Sequence, residues 1–349
     1  MVKMISHGSY GCIFYPGMDC KGKPMHTKKG KRPEFVTKIQ RKKATSIVEE
    51  EVGKKIMNIK NYEDFFAPVI DSCPLSIGSI ENDEIKKCDF LSKSVDINND
   101  VKFQSNKLKY VGKHTFSSYL MKLFKTHPKR LFRTIMNSYR HLLKGIDLLA
   151  SNGLIHYDIH DRNVMVDSKK TNPILIDFGL TIQNMPDCDK KGFYVYAPDY
   201  DVWCFDICLI NYLLHEVSTE STERISSEVL FKVLNEYIQK NGVWEHFTSD
   251  EKDKYKTQMQ TYLKGLENKS AEDIIDELIG YWKSWDNYSV SVLFLSNLNM
   301  FGNGIGIDIG NDIEKDFKES LKKIVASTPS ERPIAKTTIL ETKQKYSIH

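Results

Sequence analysis

The sequence predicts an α+β protein in which a strand-rich first third is followed by a mainly helical remainder. Three observations carry this. Segments 1–6, 34–39 and 65–70 read as short strands, by alternation or by β-branched and aromatic content. From residue 128 onward, apolar residues recur at helical spacing instead. The 349 residues also suffice for two lobes or domains, each with a core of its own.

Residues 1–6 alternate like a strand and lead into Ser6-His7-Gly8-Ser9-Tyr10-Gly11-Cys12-Ile13. Glycines in such a loop allow backbone N–H groups to approach phosphate closely, although a plain hairpin turn would use them too. Between Tyr15 and Pro33 lie six basic residues, expected at a solvated hairpin tip. Residues 34–39 form the next strand. It carries Lys38, which would be a solvated lysine but for the loop before it and the acids after it. Residues 44–59 read as a helix with Val52, Ile56 and Ile59 on its apolar stripe. Three glutamates compete there to pair with Lys38. Glu49 borders the stripe and is preferred, with Glu50 as the alternative. Residues 65–70 are expected to be a buried strand, and the polar stretch 76–100 an irregular surface insertion.

Residues 128–151 carry Ile135, Leu142, Leu143, Ile146 and Leu149 at helical spacing and stop at Asn152-Gly153. The stretch 202–217 is apolar nearly all round, which places it at the centre of a domain. Further helices with turns at Asn241-Gly242 and Asn287 fill 218–300, where Trp282, Trp285 and Phe294 read as packing residues. Gly302-Asn303-Gly304-Ile305-Gly306 lacks the spacing of a nucleotide loop and reads as a flexible connection.

Composition narrows the function. Charged residues at 28% and hydrophobic ones at 40% are ordinary for a soluble globular protein. A net charge of +4 is too small to argue for nucleic acid as substrate. Seven scattered cysteines without a C-x-x-C pair lead us to expect free thiols in a reducing compartment, neither zinc-bound nor in disulfides. No apolar run of about 18 residues occurs, so a cytoplasmic protein with no membrane segment is expected.

The chemistry concentrates in 154–180. His156-Tyr157-Asp158-Ile159-His160-Asp161-Arg162-Asn163 is followed, after the apolar residues Ile174, Leu175 and Ile176, by Asp177-Phe178-Gly179. Phosphoryl transfer needs a carboxylate to deprotonate the acceptor hydroxyl and oxygen ligands for magnesium. Asp158 suits the first role, and Asn163 with Asp177 the second. The two motifs resemble the H-R-D-L-x-x-x-N and D-F-G of eukaryotic-type protein kinases.

That resemblance spans the chain and implies a bilobal protein-kinase-like fold, with a small β-rich N-lobe, 1–112, and a larger helical C-lobe, 113–349. It implies ATP and Mg2+ as cofactors and a protein substrate. Ser6, Gly8, Gly11 and Ile13 take the places of the glycine loop, with Ser6 for the first glycine. Val36 and Lys38 match the V-A-I-K strand, Glu49 the partner of the lysine, and Tyr110 the hinge beside adenine. Tyr196-Ala197-Pro198-Asp199 resembles A-P-E, and Asp201-Val202-Trp203-Cys204 the D-x-W-S of the buried helix, so that either the activation segment is abbreviated or Asp199 is not a true equivalent of the A-P-E acid. Thr328-Pro329-Ser330-Glu331-Arg332-Pro333 resembles the C-lobe close, where Arg332 would pair with Asp199. The abbreviated segment, the C-lobe insert and the Gly-Cys-Ile-Phe loop look most like serine/threonine kinases of large nucleocytoplasmic DNA viruses. Tyr157 stands where most regulated kinases have arginine, and His160, a third catalytic candidate, where serine/threonine kinases have lysine. The H-x-D-x-H-x-x-N form is also familiar from aminoglycoside and choline phosphotransferases. A catalytically inactive scaffold would usually lack one of Lys38, Asp158 or Asp177, and all three are present.

Overall fold

The structure is a computed structural model that describes residues 2–8, 11–25, 33–75, 82–89, 91, 103–167, 170–217, 224–302 and 311–346. The tip at 26–32, most of the 76–100 insertion, Ser9 and Tyr10 of the glycine loop, and 303–306 lie outside the described residues. The strands are β1 Lys3–Gly8, β2 Gly11–Tyr15, β3 Phe35–Arg41, β4 Val69–Leu75, β5 Phe103–Lys109, β6 Leu154–Ile155, β7 Val164–Val166, β8 Pro173–Leu175 and β9 Ile182–Gln183. The helices are α1 Ala44–Met57, α2 Asn82–Lys86, α3 Phe116–Thr126, α4 Leu131–Ala150, α5 Phe205–His215, α6 Ser227–Lys240, α7 Ser249–Lys264, α8 Ala271–Ile279, α9 Trp285–Gly302, α10 Asn311–Val325 and α11 Ala335–Lys345.

Two compact units result, and the first, Met1–Lys113, also takes in Met165–Thr181. Its sheet is antiparallel in the order β1-β2-β3-β5-β4. Period-2 alternation sorts the side chains into two faces. Cys12, Phe14 and Ile39 point into one core with Leu75 and Phe103. Val36, Val69 and Leu108 form the other, with Ile13, Tyr15 and Tyr110 against it. Helix α1 packs on β4 so closely that a Cβ at Gly53 would collide with the Val69 carbonyl, which accounts for a glycine inside a helix.

Two expectations for this unit change. The strand predicted at 65–70 divides, because Pro68 cannot donate to a ladder. Ala67 N and Phe65 O bond to Leu175, while the sheet strand begins at Val69. Four of the seven cysteines are paired, Cys12 with Cys88 and Cys20 with Cys73. Only Cys188, Cys204 and Cys208 are the free thiols that had been expected. The partners lie 76 and 53 residues apart, so neither pairing leaves a mark in local spacing. Among the described residues no helix is long and apolar enough to cross a membrane.

In the second unit, α5 and α9 both carry fully buried apolar residues, including Leu209 and Ile210 on the first and Trp285, Phe294 and Leu295 on the second. The helix expected at 202–217 begins at Phe205, behind Cys204 as N-cap. Helix α3 escaped sequence reading, which assigned no element to 116–126. Asn287 lies within α9 and does not mark a turn, since its amide donates to Pro333 O and the Thr338 hydroxyl instead of breaking the helix.

Arg332 pairs with Asp206 and not with Asp199. Its guanidinium meets the two Asp206 oxygens at 3.0 and 2.9 Å, and Trp285 Nε1 donates to Oδ2 at 3.0 Å. The fork geometry demands two adjacent acceptors out of water, which the fully buried Asp206 supplies. The acid paired with Arg332 therefore lies beyond Asp199, at the start of α5.

Two outcomes check these features. Alkylation of unfolded, unreduced protein should label three thiols, and all seven after reduction; seven before reduction would reject both pairings. Arg332→Met leaves the Asp206 carboxylate buried without its cation and should cost about 3–5 kcal/mol, read from the denaturant midpoint.

Candidate active site

In the first unit the candidate residues gather around a buried ammonium. Lys38, on β3, shares a sheet face with Ile13 and Val36, two residues or one strand away. Its Nζ lies 3.0 and 3.1 Å from the Glu49 oxygens and 2.8 Å from Asp177 Oδ1. Of the competing glutamates it is thus Glu49 that turns inward, 1% exposed, while Glu50 pairs with Lys54. Glu49 Oε2 also accepts from Gln40 Nε2 at 2.9 Å and from Asn106 Nδ2 at 3.5 Å. Burial works against the Lys38 ammonium, but the Glu49 and Asp177 carboxylates outweigh it and hold it protonated well above its ordinary range. Burial pushes the Glu49 carboxyl up, and Lys38 offsets this only in part.

Asp177 adopts φ 60, a left-handed conformation an aspartate enters at a cost of about 1–3 kcal/mol. Phe178 beside it is buried edge-on to Phe66, at 6.0 Å between ring centres, and so anchors the turn. The Asp177 side chain remains 42% exposed.

The glycine-loop candidates lie on the β1–β2 hairpin. Ser6 is exposed and pairs with Ile13, and Gly8 pairs with Gly11. A Cβ at Gly11 would collide with the Ile39 carbonyl, so the neighbouring strand is itself a reason for this glycine. Tyr110 N donates to Glu34 O at 2.8 Å, and its ring packs 4.4 Å from that of Tyr15. Ile13, Val36 and Tyr110 are thereby joined in one apolar cluster, with Tyr110 contributing its ring while its N–H is engaged elsewhere.

In the second unit Asp158 is the centre. Asn163 Nδ2 donates to Asp158 Oδ2 at 2.8 Å and to its carbonyl at 3.0 Å. The Tyr200 hydroxyl donates to Oδ1. His160 Nε2 stands 3.7 Å from Oδ1, beyond a hydrogen bond. Its Nδ1 accepts from Arg162 N at 3.2 Å and caps the 3₁₀ turn Asp161–Asn163, which places the proton of the neutral ring on Nε2. Burial pushes the Asp158 carboxyl up, but the facing His160 and Tyr200 pull harder and leave it below the usual carboxylate value. It is an ionised acceptor for a proton.

Sequence reading missed the residues that hold this loop. Asp286 on α9, a buried acid, accepts from His156 N at 2.8 Å and Tyr157 N at 3.0 Å. Burial raises its carboxyl despite those bonds. They offset the cost of Tyr157 at φ 69. Asp161 accepts from the Thr115 hydroxyl at 3.0 Å and Ser117 N at 2.8 Å, fastening the loop to the start of α3. These partners lie 44 or more residues away, so no local motif announces them.

Tyr157 is buried rather than poised to receive a phosphate. Asn211 Nδ2 donates to its hydroxyl at 3.1 Å, and Trp203 Nε1 to its carbonyl at 2.9 Å. Phe193 packs edge-on and Trp203 tilted against its ring, at 5.9 and 4.8 Å. The segment 193–203 is thus tied to the loop by aromatic contact.

No family model matches the chain. A stretch of 91 residues, 25% of the chain, is 36% identical to mitogen-activated protein kinase kinase kinase 8 of Rattus norvegicus. The match spans 19% of that relative's length. It relates this part of the chain to the protein-kinase superfamily.

Proposed function

We propose that this protein is an ATP- and magnesium-dependent protein kinase that transfers the γ-phosphoryl group to serine or threonine hydroxyls. The observation that carries the reading is the ionised Asp158 carboxylate fixed by Asn163, with the Lys38–Glu49–Asp177 cluster as its counterpart in the other unit. The likeness of a 91-residue stretch to mitogen-activated protein kinase kinase kinase 8 supports it.

The donor set suits magnesium, a hard cation that prefers oxygen. In the first unit the Asp177 carboxylate would offer it an oxygen ligand, and in the second the Asn163 amide oxygen would, since the Asn163 NH₂ group already faces Asp158. When bound, the metal would neutralise charge developing on the phosphates. Lys38, kept cationic, would orient those phosphates, and Asp158 would take the proton of the acceptor hydroxyl. Ile13, Val36 and Tyr110 offer an apolar surface for the base.

His160 favours a second reading, a small-molecule phosphotransferase, since it recreates the H-x-D-x-H-x-x-N form. Labelled ATP with magnesium, offered a protein mixture in one tube and small amines and alcohols in another, decides by where the label goes.

Lys38→Met, Asp158→Asn and Asp177→Asn should each abolish most transfer. For Asp158→Asn the loss of turnover is expected at about 10²- to 10⁴-fold. Full activity in that variant with normal ATP binding would exclude Asp158 as base. Regulation follows from Tyr157, which cannot pair with a phosphate. Between Asp177 and Asp206 the hydroxyl side chains are Thr181, Tyr194, Tyr196 and Tyr200. Phosphatase-treated enzyme should keep its activity; a loss restored by rephosphorylating one of these four would reject this account.

A further inference from the structure

We propose that Tyr200 is a positioning residue that fixes the plane of the Asp158 carboxylate, a role that rests on the phosphotransfer reading and adds a residue to it. A carboxylate held at one oxygen can still turn about its Cβ–Cγ bond. One held at both cannot. Asn163 holds Oδ2 at 2.8 Å, and Tyr200 donates to Oδ1. His160, at 3.7 Å, is too far to supply the second hold. Oδ1 keeps another lone pair, which leaves room for the hydroxyl of an acceptor.

The tyrosine is itself held through both its ring and its backbone. Its ring stands edge-on to Trp203, with centres 5.0 Å apart and planes at 83°. Tyr200 N donates to Ala197 O at 3.1 Å, and its carbonyl accepts from Trp203 N at 3.1 Å. The buried Asn241 donates to Tyr200 O and to Pro198 O, each at 3.2 Å, while its own oxygen accepts from Val243 N at 3.1 Å. Trp203 then bonds to the Tyr157 carbonyl, one residue before Asp158. The hydroxyl is therefore presented from a frame tied to the loop that it serves. Burial and the facing Asp158 charge keep the phenol protonated, so it donates and does not accept from the carboxylate.

Tyr200→Phe removes one oxygen and leaves the ring against Trp203. With labelled MgATP and casein as acceptor, kcat should fall about 10- to 100-fold, the scale of a misplaced catalytic group. KM for ATP and for casein should stay within about twofold, because the interaction matters only as the proton moves. Tyr200→His, whose ring N–H can still donate, should recover part of the lost kcat, which a packing role for the ring would not allow. A kcat at or above wild type in the Phe variant would mark the hydroxyl as a block and overturn the proposal. A loss confined to KM, or no recovery in the His variant, would overturn it as well. Wild-type transfer that Asp158→Asn abolishes and Tyr200→Phe leaves untouched rejects this proposal alone. Wild-type protein that transfers to no acceptor rejects the kinase reading and this proposal with it.

Discussion

A carboxylate taken out of water must be given donors, or it costs several kcal/mol. Three buried acids organise this chain in that way. Glu49 receives Lys38, Gln40 and Asn106, which ties α1 to β3 and β5. Asp206 receives Arg332 and Trp285, which ties the start of α5 to the start of α9 and to the turn before α11. Asp286 receives two backbone N–H groups of the loop that carries Asp158. Each acid tolerates few alternatives, because any rearrangement would leave a charge or a donor unpaired. The candidate catalytic groups inherit their precision from these three points.

Much of this was legible in the sequence where chemistry is local. Asp158 and Asn163 lie five residues apart, and one 3₁₀ turn is enough to join them. Lys38 was legible as a lysine on a strand, and Glu49 as the glutamate bordering an apolar stripe, because strand and helix periodicities assign faces. The long-range partners were not legible. Asp286 lies 130 residues from His156, and nothing in Trp285-Asp286-Asn287 distinguishes a carboxylate that accepts backbone N–H groups from one that faces water. The same holds for the cysteines, where counting and spacing pointed to free thiols and the fold joins four of them in two pairs.

The error at Asp199 is instructive. Ala197-Pro198-Asp199 satisfied a pattern of residue types, yet the partner of Arg332 is chosen by burial. Asp199 is exposed, whereas Asp206 has no accessible surface. A buried guanidinium selects the acid that shares its dielectric, since the same pair in water would contribute little. Pattern matching weighs identity and order; the fold weighs desolvation.

Tyr157 shows what the chain does in place of an ionic latch. An arginine there could order the neighbouring segment only after a phosphate arrived. A buried tyrosine flanked by Phe193 and Trp203 orders it through packing that is always present. Packing of this kind is insensitive to salt and needs no second enzyme, but it cannot be switched by a single charge. The same frame carries Tyr200 to Asp158, so the contacts that hold the segment in place also aim the carboxylate. On the proposed kinase reading, a chain built in this way would give up control at the segment, and its activity would be set by the supply of nucleotide and acceptor.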